Sequence, residues 1–388
     1  MKTKNLTQVS NVTTGKLDAN AEIPDGKFPF FTCASTPMRI NTFSFDDDVV
    51  LLAGNNAQGN FHLQRYKGKF DAYQRTYVIT AKKGYDIDYI KYSLELSLKH
   101  LKRLAQGSQT KFLTMQILDS FQVLDVPYEE QETLISSVYA IDSKIRLNDR
   151  ICSELEAMAK SLYDYWFVQF DFPDGNGKPY RTSGGEMEWN EQLKREIPKG
   201  WEAGNLYSLA DFTNGLACQK FRPKDGEKAI PVIKIKEMHD GITAETEQVS
   251  ENIPSKHKIS DGDILFSWSA TLEVMYWYGG SGGLNQHIFK VNPKSYFPKE
   301  YVYEQLSSYI VNFVKMAEAR KTTMGHITTD HLEQSKIPLP PESLIKQFKE
   351  KIYPIHLKIG QTKQENRELT KLRDWLLPML MNGQARVE

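Results

Sequence analysis

Residues 128–168 read YEEQETLISSVYAIDSKIRLNDRICSELEAMAKSLYDYWFV, and residues 342–382 read ESLIKQFKEKIYPIHLKIGQTKQENRELTKLRDWLLPMLMN. In the first stretch Leu134, Val138, Ile141, Ile145, Asn148, Cys152, Leu155, Ala159, Leu162 and Trp166 follow one another at alternating steps of four and three. That spacing is the seam of a coiled coil rather than the broader apolar face of an ordinary core helix. The second stretch is the first repeated 214 positions later. Leu118, Leu134, Val138, Ile141, Ile145, Leu155, Met158 and Leu162 return as Leu332, Phe348, Ile352, Ile355, Ile359, Leu369, Leu372 and Leu376. The register holds without a gap from Thr114 to Phe167, so each half of the chain ends in a long helix of one design.

The helices are expected over about Tyr128 to Val168 and Pro341 to Asn382, roughly 60 Å each at 1.5 Å per residue. Neither can bury its seam alone. Antiparallel pairing brings the polar seam positions together, Asn148 in the first copy and Thr362, Asn366 and Arg373 in the second, and a polar group in a seam fixes register at some cost in stability. Two separate amphipathic helices, each covering its own domain, are the alternative the sequence leaves open. Ahead of each helix the repeat is fainter. Residues 11–15 (NVTTG) echo 211–215 (DFTNG), and Asp48-Val49-Val50-Leu51 echoes Asp263-Ile264-Leu265-Phe266.

Each half opens with short alternating runs such as Tyr77-Val78-Ile79-Thr80 and residues 287–291 (HIFKV), bounded by Gly and Asn, a pattern of β-strands joined by tight turns. A helical stretch follows, Asp86 to Leu104 in the first half and Pro298 to Ala319 in the second. Then comes a short extended piece ending at Pro127 or at residues 338–341 (PLPP), and then the long helix. Residues 171–200, with PDGNG at 173–177 and Gly184-Gly185, read as a polar linker. The fold class is therefore α+β, with an internal duplication. The domains are 1–127, a first long helix at 128–170, the linker at 171–200, a second domain at 201–340, and a second long helix with its tail at 341–388.

Composition is that of an ordinary soluble chain: 388 residues, 40% hydrophobic and 25% charged. No apolar run approaches the roughly 20 residues of a membrane span, and the first residues show no secretory leader, so a cytoplasmic location is expected. Cys33, Cys152 and Cys218 lie far apart, without the spacing of a disulfide framework or a zinc knuckle. The 49 basic and 49 acidic side chains cancel, but unevenly. Residues 1–110 carry 15 basic and 10 acidic groups, residues 111–200 carry 10 and 16, and residues 201–325 carry 14 and 15.

Catalytic signatures fail one by one. Residues 54–61 (GNNAQGNF) have the spacing of a phosphate loop without its Lys and Ser/Thr. Gly279-Gly280-Ser281-Gly282-Gly283 opens no βαβ unit and reads as a flexible loop or hairpin turn. His326 and His331 are five apart with no Glu after the first, unlike a helical zinc site. Asp46-Asp47-Asp48 reads as a solvated turn before a strand; a nuclease drawing carboxylates from it and from elsewhere is the enzymatic alternative. The chain reads as non-catalytic. What remains is side-chain chemistry suited to nucleic acid, because Asn, Gln and Arg pair bidentately with base edges while Lys and Arg hold phosphates. The candidates in the first half are Asn55, Asn56, Gln58, His62, Gln64, Arg65, Lys67, Lys69, Gln74 and Arg75. Those in the second are Lys220, Arg222, Lys224, Lys234, Lys236, His239, Trp268, Asn285, Gln286 and His287.

Four segments in this order give the chain a resemblance to a known family: residues 121–127 (FQVLDVP) and 337–341 (IPLPP) before the two helices, 161–171 (SLYDYWFVQFD) at the end of the first, and 197–202 (IPKGWE) entering the second half. With the duplication, they make it similar to the DNA-specificity subunits of type I restriction-modification systems. The first half lacks the Ile-Pro-x-Gly-Trp entry and starts instead at Asn5-Leu6, which leaves its N-terminal boundary without a motif. The resemblance implies two target-recognition domains, each reading one half of a split site in double-stranded DNA. They would be separated by two long antiparallel coiled-coil helices with pseudo-two-fold symmetry. It also implies two methyltransferase (modification) subunits and further restriction/translocase subunits as partners, with S-adenosylmethionine, ATP and magnesium used by those partners and no cofactor in this chain. From the residues alone, a duplicated coiled-coil scaffold that binds other proteins stays open.

Overall fold

The computed structural model describes residues 2–57, 59–107, 109–269, 271–319 and 327–384. They form two compact units, one of residues 1–145 with 369–388, the other of residues 146–368.

The first unit is built on a six-stranded sheet of β1 (Ser10–Thr14), β2 (Phe28–Phe31), β3 (Met38–Ile40), β4 (Phe45–Ala53), β5 (Leu63–Ala72) and β6 (Thr76–Ala81), in spatial order β1-β6-β4-β5-β2-β3. All neighbours run antiparallel except β2 beside β5. The run Val49-Val50-Leu51-Leu52 is buried throughout because β4 is covered on both faces. Val50, Leu52 and Ile79 pack toward helix α1 (Ile87–Leu104), while Val49, Leu51 and Val78 meet Phe31 and Phe70. Helix α1 starts where Asp86 accepts hydrogen bonds from the amides of Asp88 (2.8 Å) and Tyr89 (2.9 Å), satisfying donors that have no partner inside the helix.

The acidic triplet is no solvated turn. Asp46, Asp47 and Asp48 lie inside β4, opposite Lys69, Gly68 and Lys67 of β5, so the neighbouring strand supplies the compensating charge.

The second unit carries two four-stranded sheets. Its strands are β7 (Ala210–Asn214), β8 (Ala229–Ile233), β9 (Gln248–Ser250), β10 (Lys258–Ile259), β11 (Ile264–Ser267), β12 (Glu273–Tyr276), β13 (Gly282–Leu284) and β14 (Ile288–Pro293). The sheet orders are β7-β14-β11-β12 and β9-β8-β13-β10. Of the glycine-dense segment, Gly282 and Gly283 belong to strand β13, while residues 279–281 lie in the loop between β12 and β13. A Cβ on Gly282 would stand 2.7 Å from Ile233 and one on Gly283 2.6 Å from Val249, so β13 lies too close to its neighbours for larger residues. Helix α3 (Lys299–Ala319) follows β14. Residues 171–200 hold a hairpin, Met187–Asn190 with Arg195–Pro198, and Phe172 stacks on Tyr180 at 4.6 Å and on Trp201 at 5.6 Å.

The long helices are α2 (Tyr128–Tyr163), extended by a π-helical turn at Asp164–Val168, and α4 (Glu342–Met381). None of the ten seam positions of α2 is exposed. In the first unit Ile135 and Val138 share a core with Leu377, Leu380 and Met381. In the second unit Cys152, Ala159 and Trp166 share one with Phe348, Ile352, Ile355 and Ile359. The polar seam residues find partners. Asn148 donates to Glu365 and Asn366, each at 2.8 Å, and Asn366 donates to Asp149 at 2.7 Å. In the first unit Arg373 lies 3.4 Å from the buried Asp142, which also accepts from the Tyr92 hydroxyl at 2.8 Å. Met158 and Leu372, a repeated pair, are both exposed, so the duplication extends to positions that core packing does not dictate.

Burial pushes the Cys218 thiol up to about 11 and raises that of Cys152, holding both neutral at pH 7, whereas the half-buried Cys33 lies in a surface loop. Because the thiolate is the reactive form, iodoacetamide at neutral pH is expected to label the native chain at Cys33 alone, and all three cysteines after unfolding. Mass spectrometry of the labelled peptides reads this, and rapid native labelling of Cys218 would contradict its burial.

Candidate nucleic-acid interface

In the first unit the turn of residues 73–75 between β5 and β6 is pinned through its backbone. Tyr73 N donates to Phe31 O (2.9 Å), Gln74 N to Leu17 O (2.9 Å), and Arg75 O accepts from Gly54 N (2.8 Å). Beside it Asn55 and Asn56 pair with Phe112 and Lys111, and Ala53 N donates to His62 O at 3.0 Å. The sequence candidates Asn55, Asn56, His62, Gln64, Gln74 and Arg75 are therefore brought into one neighbourhood, with Gln74 and Arg75 exposed. Gln58 lies outside the described residues.

Two candidates are occupied. Gln64 donates to Ala34 O at 3.0 Å, tying down the neighbouring loop. Arg65 is spent on structure: its Nε lies 2.9 Å from Asp88 Oδ1 at the start of α1, it pairs with Asp48, and it donates to the carbonyls of Val49 and Tyr66. Burial pushes the Asp48 carboxyl up, but Arg65 and Lys67 outweigh it and hold it below the ordinary carboxylate range. Arg65→Ala is expected to lower the urea stability by about 2 kcal/mol, less than for a fully buried pair because both partners are partly exposed. The salt dependence of DNA binding should stay unchanged. A phosphate contact would instead reduce the salt slope by about 1, which would return Arg65 to the binding set.

Lys67 and Lys69 are exposed. Lys67 is 3.4 Å from Asp48, and the Lys69 ammonium sits 4.7 Å over the Phe43 ring. Three cations escaped the sequence reading: Lys16, exposed beside Gly15, and Lys102 and Lys111, whose stems flank Gly59. Lys102 reaches Asn60 at 2.8 Å. It belongs to α1, remote in sequence from the loop it meets.

The second unit gathers a smaller group. Trp268 Nε1 donates to Asn214 at 3.2 Å, its ring lies 5.5 Å from that of His287, and Gln286 Nε2 is 3.3 Å from His287 Nε2. Asn285 is buried, and its side chain accepts from His287 N at 3.4 Å. Lys234 is paired with Glu247 (3.0 Å) and His239 Nε2 lies 3.0 Å from Glu273, so both side chains are already engaged within the fold. Lys220, Arg222, Lys224 and Lys236 are exposed on the loops and short helices around β8.

Among the described residues no group of His, Cys, Asp and Glu is placed to hold a metal, and no helix is long and apolar enough to cross a membrane. His326 lies outside the described residues. The His331 ring accepts from the Thr328 amide at 3.0 Å, capping a short helix.

Comparison with known proteins bears on the family and the fold. The type I restriction modification DNA specificity domain matches residues 1–157 and 198–371. The EcoDI type I restriction enzyme specificity subunit of Escherichia coli is 27% identical over 357 residues, 88% of this chain and 78% of that protein. The HindI specificity subunit of Haemophilus influenzae is 25% identical over 341 residues, 74% of each chain. In fold the chain is similar to the crystal structure of a type I restriction-modification system S subunit from M. genitalium, with a TM-score of 0.58, 14% identity and coverage of 98% of this chain and 96% of that one. Matched over most of its length and in both halves, the chain belongs to the type I restriction modification DNA specificity domain family.

Proposed function

We propose that this chain is the DNA-specificity subunit of a type I restriction-modification complex. It reads a bipartite site in double-stranded DNA and directs methyltransferase and restriction subunits to it. The observation that carries this reading is the family match in two stretches, 1–157 and 198–371, which follow the two halves of the internal repeat. One recognition domain spans 1–127 and the other 201–340. The helices of 128–170 and 341–388 form an antiparallel coiled coil between them, residues 171–200 serve as the connection, and the repeat gives the whole pseudo-two-fold symmetry. Within the second unit Asn148 bonds Asn366, Cys152 Sγ lies 3.9 Å from Ile359 O and the Trp166 ring 5.5 Å from that of Phe348, so partners fall in number as the first helix advances, which supports the antiparallel direction.

The chain is a recognition component without chemistry of its own. S-adenosylmethionine, ATP and magnesium belong to the partner subunits, two methyltransferases and the restriction/translocase subunits, in the cytoplasm. Zero net charge fits that division, since a neutral protein releases few counterions from DNA and needs its partners' charge to clamp the duplex.

The test is co-purification with the candidate modification subunit, followed by single-molecule sequencing of adenine methylation in a host carrying both. A split motif with a fixed gap, lost on deleting this chain, is expected. No complex and no methylation would favour the scaffold instead.

A further inference from the structure

We infer that the three-residue turns Tyr73-Gln74-Arg75 and Asn285-Gln286-His287 are equivalent reading elements, one in each unit, with Arg75 and His287 the residues that make the two half-sites different. The inference rests on the specificity-subunit reading above. The sequences hide the equivalence, since only the central Gln is shared. The backbone shows it.

Gly15 N donates to Thr76 O at 3.2 Å in the first unit, and Gly215 N donates to Ile288 O at 3.0 Å in the second. Tyr73 N donates to Phe31 O at 2.9 Å, and Asn285 N to Ile233 O at 3.0 Å. Arg75 O accepts from Gly54 N at 2.8 Å, and His287 O from Trp268 N at 3.3 Å. Leu17 bridges Tyr73 in parallel, and Leu216 bridges Asn285 in the same way. A turn held from both sides by its backbone has its path fixed, and only its side chains are left to vary. Duplication has therefore preserved a frame and changed what it presents.

The two presentations differ in chemistry. At Gly54 a Cβ would stand 2.3 Å from Arg75 O, so no side chain covers the exposed Arg75 there. In the second unit Trp268 takes that place, its ring against His287. One turn offers an open guanidinium, suited to the O6 and N7 acceptors of guanine, and the other a Trp–His ring pair beside a Gln, whose amide suits adenine.

The test uses the full complex of this chain with its methyltransferase subunits and a panel of duplexes in which each base pair of each half-site is varied in turn. Arg75→Gln is expected to cut discrimination by about 5- to 150-fold at one base pair of one half-site, leaving the other half-site untouched. His287→Ala is expected to give the mirror result. Gln74→Ala is a second probe of the first turn, and an unchanged melting temperature excludes misfolding. Cys33, whose Sγ lies 3.6 Å from Arg75 O, gives an independent readout. The cognate duplex should slow its alkylation, and a duplex scrambled in the first half-site should not. Arg75→Gln weakening all duplexes alike, with a shallower salt dependence, would make Arg75 a phosphate contact and overturn the inference. So would unchanged discrimination in both variants. A wild-type complex that methylates no split site would instead overturn the specificity reading itself.

Discussion

Exchanging residues 201–325 for the equivalent region of another specificity subunit is expected to rewrite one half of the recognised DNA sequence and to leave the other half as it was. The segment holds every reading candidate of the second unit and none of the first, and the turn at 285–287 is framed entirely by bonds within it. Each mismatched base pair costs about 1–3 kcal/mol, nearly additively. Three altered positions therefore weaken binding of the original site by at least about a hundredfold, a loss that competing genomic sites turn into complete silence. Two features decide whether the graft folds. Trp201, at its first position, is buried against Phe167, Phe170 and Phe172, so the donor has to bring an aromatic there. Strand Glu202–Asn205 pairs with Lys336–Leu339 outside the graft, but through backbone bonds that most sequences supply. Methylome sequencing of the host reads both half-sites at once, and a change in both would contradict independent reading.

What the sequence makes legible follows from the range of the interactions. The long helices are read from steps of three and four residues, a local signal, and of the ten seam positions five are buried, five half-buried and none exposed. The acidic triplet was misread because its compensation comes from Lys67 and Lys69 on the next strand, and the register that aligns them does not show in either segment alone. Gly282-Gly283 looked like a turn because glycine is the usual turn residue. Only the approach of Ile233 and Val249 makes it a strand. Arg65 has the chemistry of a phosphate contact, yet an aspartate 23 residues away claims it. Lys16, Lys102 and Lys111 fall to the converse reason, being distant in sequence from the candidate loops and close to them in space. The equivalence of residues 73–75 and 285–287 lies in backbone bonds that side-chain identity does not encode.

Phe348→Ala is expected to destabilise the second unit by about 3–5 kcal/mol, the range for emptying a fully buried phenylalanine site. The ring is 0% exposed and stands edge-on to Phe167 at 4.7 Å, with Trp166 at 5.5 Å and Tyr301 at 6.3 Å. It thereby joins three elements, the end of α2, helix α3 and the start of α4, and edge-to-face pairs add about 0.5–1.5 kcal/mol each beyond burial. Its counterpart in the first copy of the repeat is Leu134, which is only partly buried, so the second half has a bulkier anchor at this position than the frame requires. Against a total stability of about 5–15 kcal/mol, the loss is large enough to populate unfolded chain at growth temperature. Phe348→Leu keeps most of the volume and should cost about 1–1.5 kcal/mol. Trp375→Ala is the control. Although Trp375 is the larger residue and also lies on α4, it is 62% exposed, and its loss should stay within about 0.5 kcal/mol. Urea midpoints of the three variants separate the two explanations. If Phe348→Ala shifts stability no more than Trp375→Ala, the aromatic cluster does not hold the helix ends together, and the apolar seam of Ile352, Ile355 and Ile359 has to do so alone.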